Sequence, residues 1–476
     1  MKLEQTPLLD KLREHIEGDP ISFHVPGHKN GLLWKDTDER FARFLPFDQT
    51  ELHDLDDLHA PEGAIKAGQD LLAALYGTKK SYYLVNGSTV GNLVMIMSAC
   101  GEGDTVLVQR NCHKSILNGL QLARVEPVFL SPEINEDLKA AGSVSPETLE
   151  EAFDRYPNAR ACIFTYPDYY GVAYDLAKLI HIAHRHGAAV LVDEAHGPHF
   201  ILGPPFPASA LQLGADAVVQ SAHKTLPAMT MGSYLHLNSS RIAAGTAEYH
   251  LSVLQSSSPS YPIMASLDYA RAYLASYREE DIQAVLQMRE ELKTALGRIP
   301  GLAIVEAINQ DPLKLAVTHE TMSGYELQEQ FSKAGVYPEM ADARQILLVL
   351  PLLKKGMKLP VRTMLKRLQG LSVPGGHLQS GKAFDLQLPK NKVIRPALAP
   401  RDVKRHRLEW IDVGESVGRI SARMLTPYPP GIPLLLEGER IEKEHAELLK
   451  HLIVGGARFQ GGMEELKRGR IAVCEE

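Results

Sequence analysis

The sequence contains little cysteine, and the cysteines it has are widely spaced. Its 476 residues include four, Cys100, Cys112, Cys162 and Cys474, and no two of them form a Cys-x-x-Cys pair. Sparse, unpaired cysteines are typical of a reducing compartment and argue against a disulfide framework. We therefore expect a cytoplasmic protein.

Long apolar segments are also missing. Runs such as Leu93–Met97 and Ile346–Leu350 are far shorter than the roughly 18 residues that cross a bilayer. The first residues, Met-Lys-Leu-Glu, carry charge where a signal peptide needs an apolar stretch. We expect neither a secreted protein nor one with a membrane partner.

Neither sign of charge dominates the chain. The 51 basic and 58 acidic side chains give a net charge of −7, which argues against a nucleic-acid-binding surface over the whole molecule. A basic cluster between Lys354 and Arg367 has no interleaved aromatic residues, so we expect it to decorate an exposed helix. His181, His184 and His186 lack nearby cysteine or carboxylate ligands at suitable spacing, so no metal site is expected.

The sequence does contain alternating helical and strand patterns, from about residue 62 to 237. Ala188–Val192 and Ala217–Gln220 are uninterrupted apolar strands, and helical spacing runs through Ile65–Tyr76 and Leu176–His186. Continuous apolar strands between helices indicate an α/β fold with a mainly parallel sheet covered on both faces. Residues 300–370 have the pattern of a second, smaller α/β unit.

Polar motifs follow four of the predicted strands. Asp193-Glu194-Ala195-His196 follows one strand and Ser221-Ala222-His223-Lys224 the next. Gly87-Ser88-Thr89 opens a helix after a third strand, and Arg110-Asn111-Cys112-His113 follows a fourth. Because ligands bind beyond the carboxyl ends of such strands, we expect chemistry there.

Pyridoxal phosphate (PLP) requires this combination of groups. It needs a lysine for a Schiff base, a carboxylate to keep its pyridine nitrogen protonated, a helix N-terminus for its phosphate and a flat side chain over its ring. The residues that fit are Lys224 for the amine, Asp193 for the carboxylate, Ser88 and Thr89 with Gly87 for the phosphate, and His113 for the ring face, with Ser221 and His223 as further phosphate contacts and Ala195 leaving the other ring face open.

These strings resemble the ornithine/lysine/arginine decarboxylase family, which has the aspartate-aminotransferase fold (fold type I). The matching strings are Phe23–Lys29, Leu55–His59, Asn86–Thr89, Arg110–Ser115, Val192–Gly197 and Ser221–Lys224, with Pro427–Pro433 and Gly438-Glu439 downstream. The resemblance covers roughly residues 7–310 and 408–445. It suggests a short member without the N-terminal wing domain of the long enzymes.

The resemblance implies the same roles for Lys224, Asp193 and His113, and it places His196 with the cofactor-binding residues. It also implies a homodimer or higher oligomer with a basic amino acid as substrate. The domains we expect are a loop-rich segment at 1–60 that contributes to the active site, a PLP-binding large domain at 61–300, a small α/β domain at 301–375, and a linker with the C-terminal decarboxylase domain at 376–476.

One string departs from the family. Where the family usually has Asn-Pro-Thr-Tyr, this chain has Tyr166-Pro167-Asp168-Tyr169. A phenol replaces an amide that could bond the cofactor's ring hydroxyl, and a carboxylate replaces a small hydroxyl. Cofactor binding should survive this change, while substrate choice and turnover depend on it.

The functional hypothesis is decarboxylation of arginine, lysine or ornithine, with arginine favoured. Substrate amine would displace Lys224, CO₂ would leave, and Lys224 or His223 would return a proton to Cα. Four carboxylates are candidates for binding the substrate's side-chain cation, namely Glu51, Asp56, Asp57 and Asp168. The alternatives are an aminotransferase, for which Arg344 could clamp the α-carboxylate, a lyase of the same fold, or a non-catalytic PLP-binding relative.

Overall fold

The structure is a computed structural model that describes residues 2–36, 38–368, 391–427, 433–454, 459–460 and 463–475. The chain divides into two compact units. The first unit consists of Met1–Ala99 and Ala189–Arg278, and the second of Cys100–Ala188 and Glu279–Glu476.

Helices and strands alternate along much of the described chain. The helices α1 to α16 are Pro7–Glu17, Glu39–Phe44, Ala64–Tyr76, Gly87–Ala99, Lys114–Leu122, Pro146–Arg155, Leu176–Arg185, Ala222–Thr225, Ala244–Leu254, Tyr261–Ala275, Glu279–Leu296, Gly324–Lys333, Val361–Leu368, Pro400–Val403, Lys443–Val454 and Met463–Lys467. The strands β1 to β18 are Lys80–Leu84, Thr105–Gln109, Glu126–Leu130, Ile134–Asn135, Ala140–Ala141, Ala161–Thr165, Ala189–Asp193, Ala217–Gln220, Ser233–Leu237, Leu302–Val305, Lys314–His319, Met340–Ala341, Gln345–Val349, Val393–Ile394, Leu408–Asp412, Thr426–Pro427, Phe459–Gln460 and Arg470–Cys474.

The first unit contains the strands that end at the candidate site. Their order is β1-β9-β8-β7, with β7 parallel to β8 and β9 antiparallel to both β8 and β1. Every residue of β7 and β8 is buried, as the uninterrupted apolar patterns predict. The residues of β9 are buried as well. In this register Asp193, the last residue of β7, lies opposite Val219.

Helix α4 covers these strands and begins at the predicted Gly-Ser-Thr turn. A Cβ atom added at Gly91 would lie 2.7 Å from Leu84 Cδ1 and 2.8 Å from Val219 Cγ1. Both of those side chains are fully buried, so they have little room to move. The absence of a side chain at Gly91 therefore lets the helix lie close against β1 and β8.

The N-terminal segment, predicted to be rich in loops over 1–60, contains the helices α1 and α2. Helix α1 buries Leu8 and Leu12. The Asp268 carboxylate accepts a 2.9 Å hydrogen bond from the Leu8 N–H, and Arg271 pairs with Asp268 at 2.7 Å with both side chains fully buried. The start of α1 is thus stabilised by α10, which lies 260 residues away in the sequence.

The second unit combines parallel and antiparallel sheets. Strands β6, β2 and β3 are parallel neighbours, and β14 pairs with β3 in the antiparallel sense. The antiparallel order β10-β11-β13-β12 forms the smaller α/β region predicted at 300–370. Further along the chain, the antiparallel pair β15-β18 packs with α15 and α16 around a separate apolar cluster.

Some predictions fall outside the described residues or shift within them. Most of the predicted linker and of the Pro427–Pro433 turn lies outside the described residues, and the proposed domain boundaries remain a prediction. The basic cluster is only partly helical, because α13 begins at Val361, after its three leading lysines. Among the described residues, no helix is both long and apolar enough to cross a membrane.

Candidate active site

Asp193 lies at the end of β7 with only 5% of its surface exposed. Its Oδ2 accepts a 2.8 Å hydrogen bond from the Asn92 side-chain amide, and its Oδ1 accepts a 3.2 Å bond from the Ala195 backbone N–H. A buried carboxylate needs such donors, because removing an unpaired charge from water is costly. Asp193 is therefore held in one orientation as an acceptor.

Two serines from different parts of the sequence meet at the start of α4. The Ser221 hydroxyl, directly after β8, donates to the Ser88 hydroxyl at 2.8 Å. Gly87 begins the helix with a φ of +78°, a conformation that glycine adopts without strain, and Thr89 beside it is exposed. Hydroxyls next to the free N–H groups of a 13-residue helix are suited to bind a phosphate.

Lys224 lies on the short helix α8 that follows Ser221. Its Nζ is 3.0 Å from Nε2 of His196, a buried side chain three residues after Asp193. His223, on the same helix, uses Nδ1 to donate to the Gly232 carbonyl at 3.0 Å. The amine thus lies beside an imidazole that can exchange protons with it.

Glu194 directs its side chain away from this group and into the interior. Its carboxylate accepts from the Gln220 amide at 2.6 Å, the Ser209 hydroxyl at 2.9 Å and the Ala210 N–H at 2.6 Å. Burial raises the pKa of Glu194 to about 8, although these three donors lower it. The residue links the ends of β7 and β8 to the loop at 209–210.

The hydrogen bonds continue from Gln220 across two more strands. Nε2 of His236, on β9, lies 3.1 Å from the side-chain oxygen Oε1 of Gln220, and its Nδ1 lies 2.7 Å from the Ser81 hydroxyl on β1. Because the Gln220 oxygen can only accept, His236 carries its proton on Nε2. Burial lowers the pKa of His236 to about 3, so the imidazole is neutral.

His113, the predicted ring-stacking residue, belongs to the second unit. It is the N-cap residue of α5, where its Nδ1 accepts from the Ser115 N–H at 3.3 Å and lies 2.8 Å from the Ser115 hydroxyl. A histidine that caps a helix in this way has a restricted ring orientation.

The departure at Tyr166 and Asp168 also lies in the second unit, and both side chains are buried. The Asp168 carboxylate accepts from the N–H groups of Tyr170 and Val172, each at 2.9 Å. Burial raises the pKa of Asp168 to about 7, although these backbone bonds and the Lys314 cation lower it. Asp168 thus stabilises its own turn through Oδ1, whereas its buried Oδ2 has no hydrogen-bond partner among the described residues. Its role as a candidate for the substrate cation stays a prediction.

The other three carboxylates that could bind the substrate cation differ in the hydrogen bonds that they accept within the protein. The Asp56 carboxylate accepts backbone N–H bonds at the start of α3, including those of Gly63 and Ile65. Asp57 accepts one backbone bond, from His59 at 2.8 Å, and Glu51 accepts from the neighbouring Thr50 hydroxyl. Asp57 and Glu51 therefore keep more free acceptor capacity than Asp56.

The polar groups of the first unit can be compared with those that PLP requires. The buried Asp193 carboxylate is an acceptor of the kind that a protonated pyridine nitrogen needs, and the paired hydroxyls of Ser88 and Ser221 lie at a helix N-terminus suited to a phosphate. Lys224 supplies a primary amine on the same unit. The donor set fits PLP.

The sequence-based prediction missed Asn92. Its spacing of four residues from Ser88 puts both side chains on one face of α4, and it is a fully buried polar residue within an apolar helix. A lone amide in an apolar helix was the available signal, although nothing local indicated that it contacts Asp193.

Solved structures identify the class of fold. The chain matches the structure of the constitutive lysine decarboxylase of Escherichia coli with a TM-score of 0.79 at 20% identity, covering 99% of this chain and 82% of that one. It also matches a structure described as SPT with PLP, with a TM-score of 0.51 at 20% identity, covering 64% and 75%. The fold is that of the PLP-dependent transferase-like enzymes of type I, as the sequence predicted.

Sequence comparisons then define the family. Residues 6–318 match the model "Orn/Lys/Arg decarboxylase, major domain", and residues 379–465 match the corresponding C-terminal domain. The uncharacterized protein YaaO of Bacillus subtilis is 45% identical over 99% of both chains, and an arginine decarboxylase of Bacillus anthracis is 32% identical over 99% of this chain and 98% of that one. The chain belongs to the Orn/Lys/Arg decarboxylase family, and its enzyme class is that of the carboxy-lyases.

Proposed function

We propose that this protein binds PLP and decarboxylates a basic amino acid, with arginine as the preferred substrate. The observation that carries the proposal is the buried Asp193 carboxylate, held by Asn92 and Ala195 in the same unit as the Lys224 amine. Relatives named arginine decarboxylase, at 31–32% identity over nearly the whole chain, support the choice of substrate.

Asp193 would hold a proton on the cofactor's ring nitrogen. The two donors hold its oxygens in place, and a carboxylate oxygen beside a basic ring nitrogen stabilises the protonated form of that nitrogen. When bound, PLP supplies an electron-accepting ring to the amino acid's Cα. The role of Asp193 is thus electrostatic, and it depends on charge as well as shape.

The remaining residues of the first unit would anchor the cofactor and move protons. Ser88 and Ser221 would donate to the phosphate, together with the first N–H groups of α4. Lys224 would hold the cofactor's aldehyde carbon, and His196 would exchange protons with the Lys224 amine across their 3.0 Å contact. We retain His113 as the ring-stacking residue and His223 as a second proton donor.

The test is a product screen of the PLP-loaded protein with arginine, lysine and ornithine, in which amines are identified by mass and CO₂ is measured. Asp193→Asn preserves the shape of the side chain but removes its charge. We expect product to fall by about 100-fold, because a hydrogen bond to a charged group is worth roughly 3 kcal/mol. Asp70→Asn, an exposed acid of the same unit, is the matched control and should match the parent.

Each other outcome of the screen contradicts part of the proposal. Release of a keto acid instead of CO₂ would indicate an aminotransferase. A visible PLP absorbance without any amine product would indicate a non-catalytic relative. If Asp193→Asn turned over like the parent, the assignment of Asp193 would be wrong.

We also propose a homodimer or higher homo-oligomer. Large apolar side chains are exposed along one stretch of the N-terminal segment, namely Ile21, Phe23, Val25, Leu32 and Leu33. Extended exposed apolar surface usually marks an interaction site. Light scattering of the eluted protein should give at least twice the monomer mass of 52.5 kDa, and a monomer would contradict this proposal. A cytoplasmic location stays a prediction.

A further inference from the structure

A buried ion pair in the second unit connects distant parts of the chain. Arg110 donates to both carboxylate oxygens of Glu439, at 2.8 and 2.7 Å, across 329 residues of sequence. Their side chains are 5% and 4% exposed. Such two-pronged pairs between arginine and a carboxylate fix the orientation of both side chains.

Each charge has further partners. Arg110 donates to the Leu434 carbonyl at 2.8 Å, and Glu439 accepts from the Leu436 N–H at 3.0 Å. Gly438, directly before Glu439, has a φ of +84°, and a Cβ there would collide with the Leu398 carbonyl. Removing one member of such a pair leaves the other charge buried and uncompensated, which is strongly unfavourable.

Arg110 lies close in the sequence to His113, the predicted ring-stacking residue. It directly follows β2 and precedes His113 by three residues. Its neighbours are fixed as well, because Gln109 and Asn111 donate side-chain hydrogen bonds to the Gly142 carbonyl, at 3.2 and 2.9 Å. Among the hydrogen bonds of the described residues, Arg110 is the one of these three side chains that bonds to the C-terminal region.

The pair also joins the two parts of this chain that match the family's two domain models. Arg110 lies within residues 6–318, the range of the major domain, and Glu439 lies within 379–465, the range of the C-terminal domain. Other ion pairs make the same connection, among them the exposed pair of Lys392 with Glu133 at 2.6 Å, in which each side chain is 48% exposed. Exposed pairs contribute little, whereas a buried pair restrains the groups it joins.

We propose that Glu439 is a positioning residue, which acts through Arg110 to hold the segment 110–113 and thereby the His113 ring. The C-terminal domain would then be required for the geometry of the site as well as for stability. This inference rests on the proposed function, in which His113 faces the cofactor.

The test compares Glu439→Gln with Glu133→Gln, the exposed control. The readouts are the visible circular dichroism of bound PLP, the separate values of kcat and KM, and amide hydrogen exchange of the segment 110–116. For Glu439→Gln we expect faster exchange in this segment, an altered visible signal and a fall in kcat of about 10- to 100-fold, because small displacements of positioned groups have effects of that size. Glu133→Gln should match the parent in all three.

The double variant Arg110→Met with Glu439→Met separates positioning from stability. Apolar replacement of a buried ion pair usually preserves folding, so we expect a melting temperature near that of the parent with kcat and the visible signal still impaired. Parental kcat and dichroism in either variant would overturn the proposal. Hydrogen exchange can be measured without PLP. If the parent makes no amine but Glu439→Gln still exchanges faster than the parent, the proposed function alone is contradicted. If the parent makes amine and Glu439→Gln exchanges at the parent's rate, the positioning role alone is contradicted.

Discussion

Asp56 provides a sharp test of the structural reasoning, because the sequence had suggested a different role for it. Its Oδ2 accepts backbone N–H bonds from Gly63, Ile65 and Lys66, at 2.9, 2.8 and 3.2 Å, and its Oδ1 accepts from Glu62 at 2.9 Å. These donors are the unpaired N–H groups at the start of α3, whose own N-cap residue is a glycine. The carboxylate therefore caps a helix from outside it.

The substitution Asp56→Asn preserves the size of the side chain but replaces one acceptor with an NH₂ group. Whichever way the amide turns, at least one of these N–H groups loses its acceptor, and the favourable charge at the helix N-terminus disappears. In the less costly orientation the amide nitrogen replaces Oδ1, and the N–H groups of Asp57 and Glu62 lose their acceptor. With about 0.5–1.5 kcal/mol for each of these two bonds and about 0.3–1 kcal/mol for the charge, we expect a loss of about 1–4 kcal/mol. A loss of 2 kcal/mol corresponds to roughly 30-fold faster local opening.

The assay is amide hydrogen exchange resolved to the segment 62–67, in parent and variant. Asp70→Asn is the matched control, because it removes only the exposed pair with Lys66 on the same helix and should accelerate exchange about twofold. Unchanged exchange in Asp56→Asn, combined with a raised KM for arginine, would refute the cap and restore Asp56 as a substrate-binding residue.

Three further predictions follow from the same structure. Gly91→Ala should destabilise the protein to urea by about 1–3 kcal/mol through overpacking, whereas Gly245→Ala, where an added Cβ meets open space, should be neutral or slightly stabilising. The pKa of His236 in the folded protein lies below its ordinary 6.5, so its contribution to stability is present above pH 6.5 and is lost as the pH falls toward 3. In denaturant titrations over that window, the free energy of unfolding of the parent should fall by about 1.4 kcal/mol more per pH unit than that of His236→Gln. Asp57→Asn or Glu51→Gln should raise KM for arginine about tenfold with a smaller change in kcat, and unchanged KM in both would exclude these two carboxylates from binding the substrate cation.

The periodicity of the sequence predicted the strands β7 and β8 well. Ala217–Gln220 was predicted with its observed bounds, and β7 begins one residue later than expected. Continuous apolar runs are informative because a strand buried on both faces has no solvent-facing positions to interrupt them. Asp193 could be found because it directly follows one such run, and Lys224 because it lies in the polar string that follows the other.

Helix α1 and the role of Asp56 could not be predicted in this way. The first N–H groups of α1 are satisfied by Asp268 and those of α3 by Asp56, and in neither helix does the N-cap side chain accept a hydrogen bond from them. Local capping signals fail where the acceptor lies elsewhere in the chain. The loop-rich prediction for the N-terminal segment was incomplete for this reason.

The sequence alone determined the family, the α/β pattern and the strand ends that carry Asp193 and Lys224, because these depend on local periodicity and on short motifs. Only the tertiary structure decided that Asn92 fixes Asp193 and that Glu439 reaches Arg110. Those contacts join residues 101 and 329 positions apart, and no local pattern records them. Their partners are set by how buried polar groups must satisfy one another once the chain has folded.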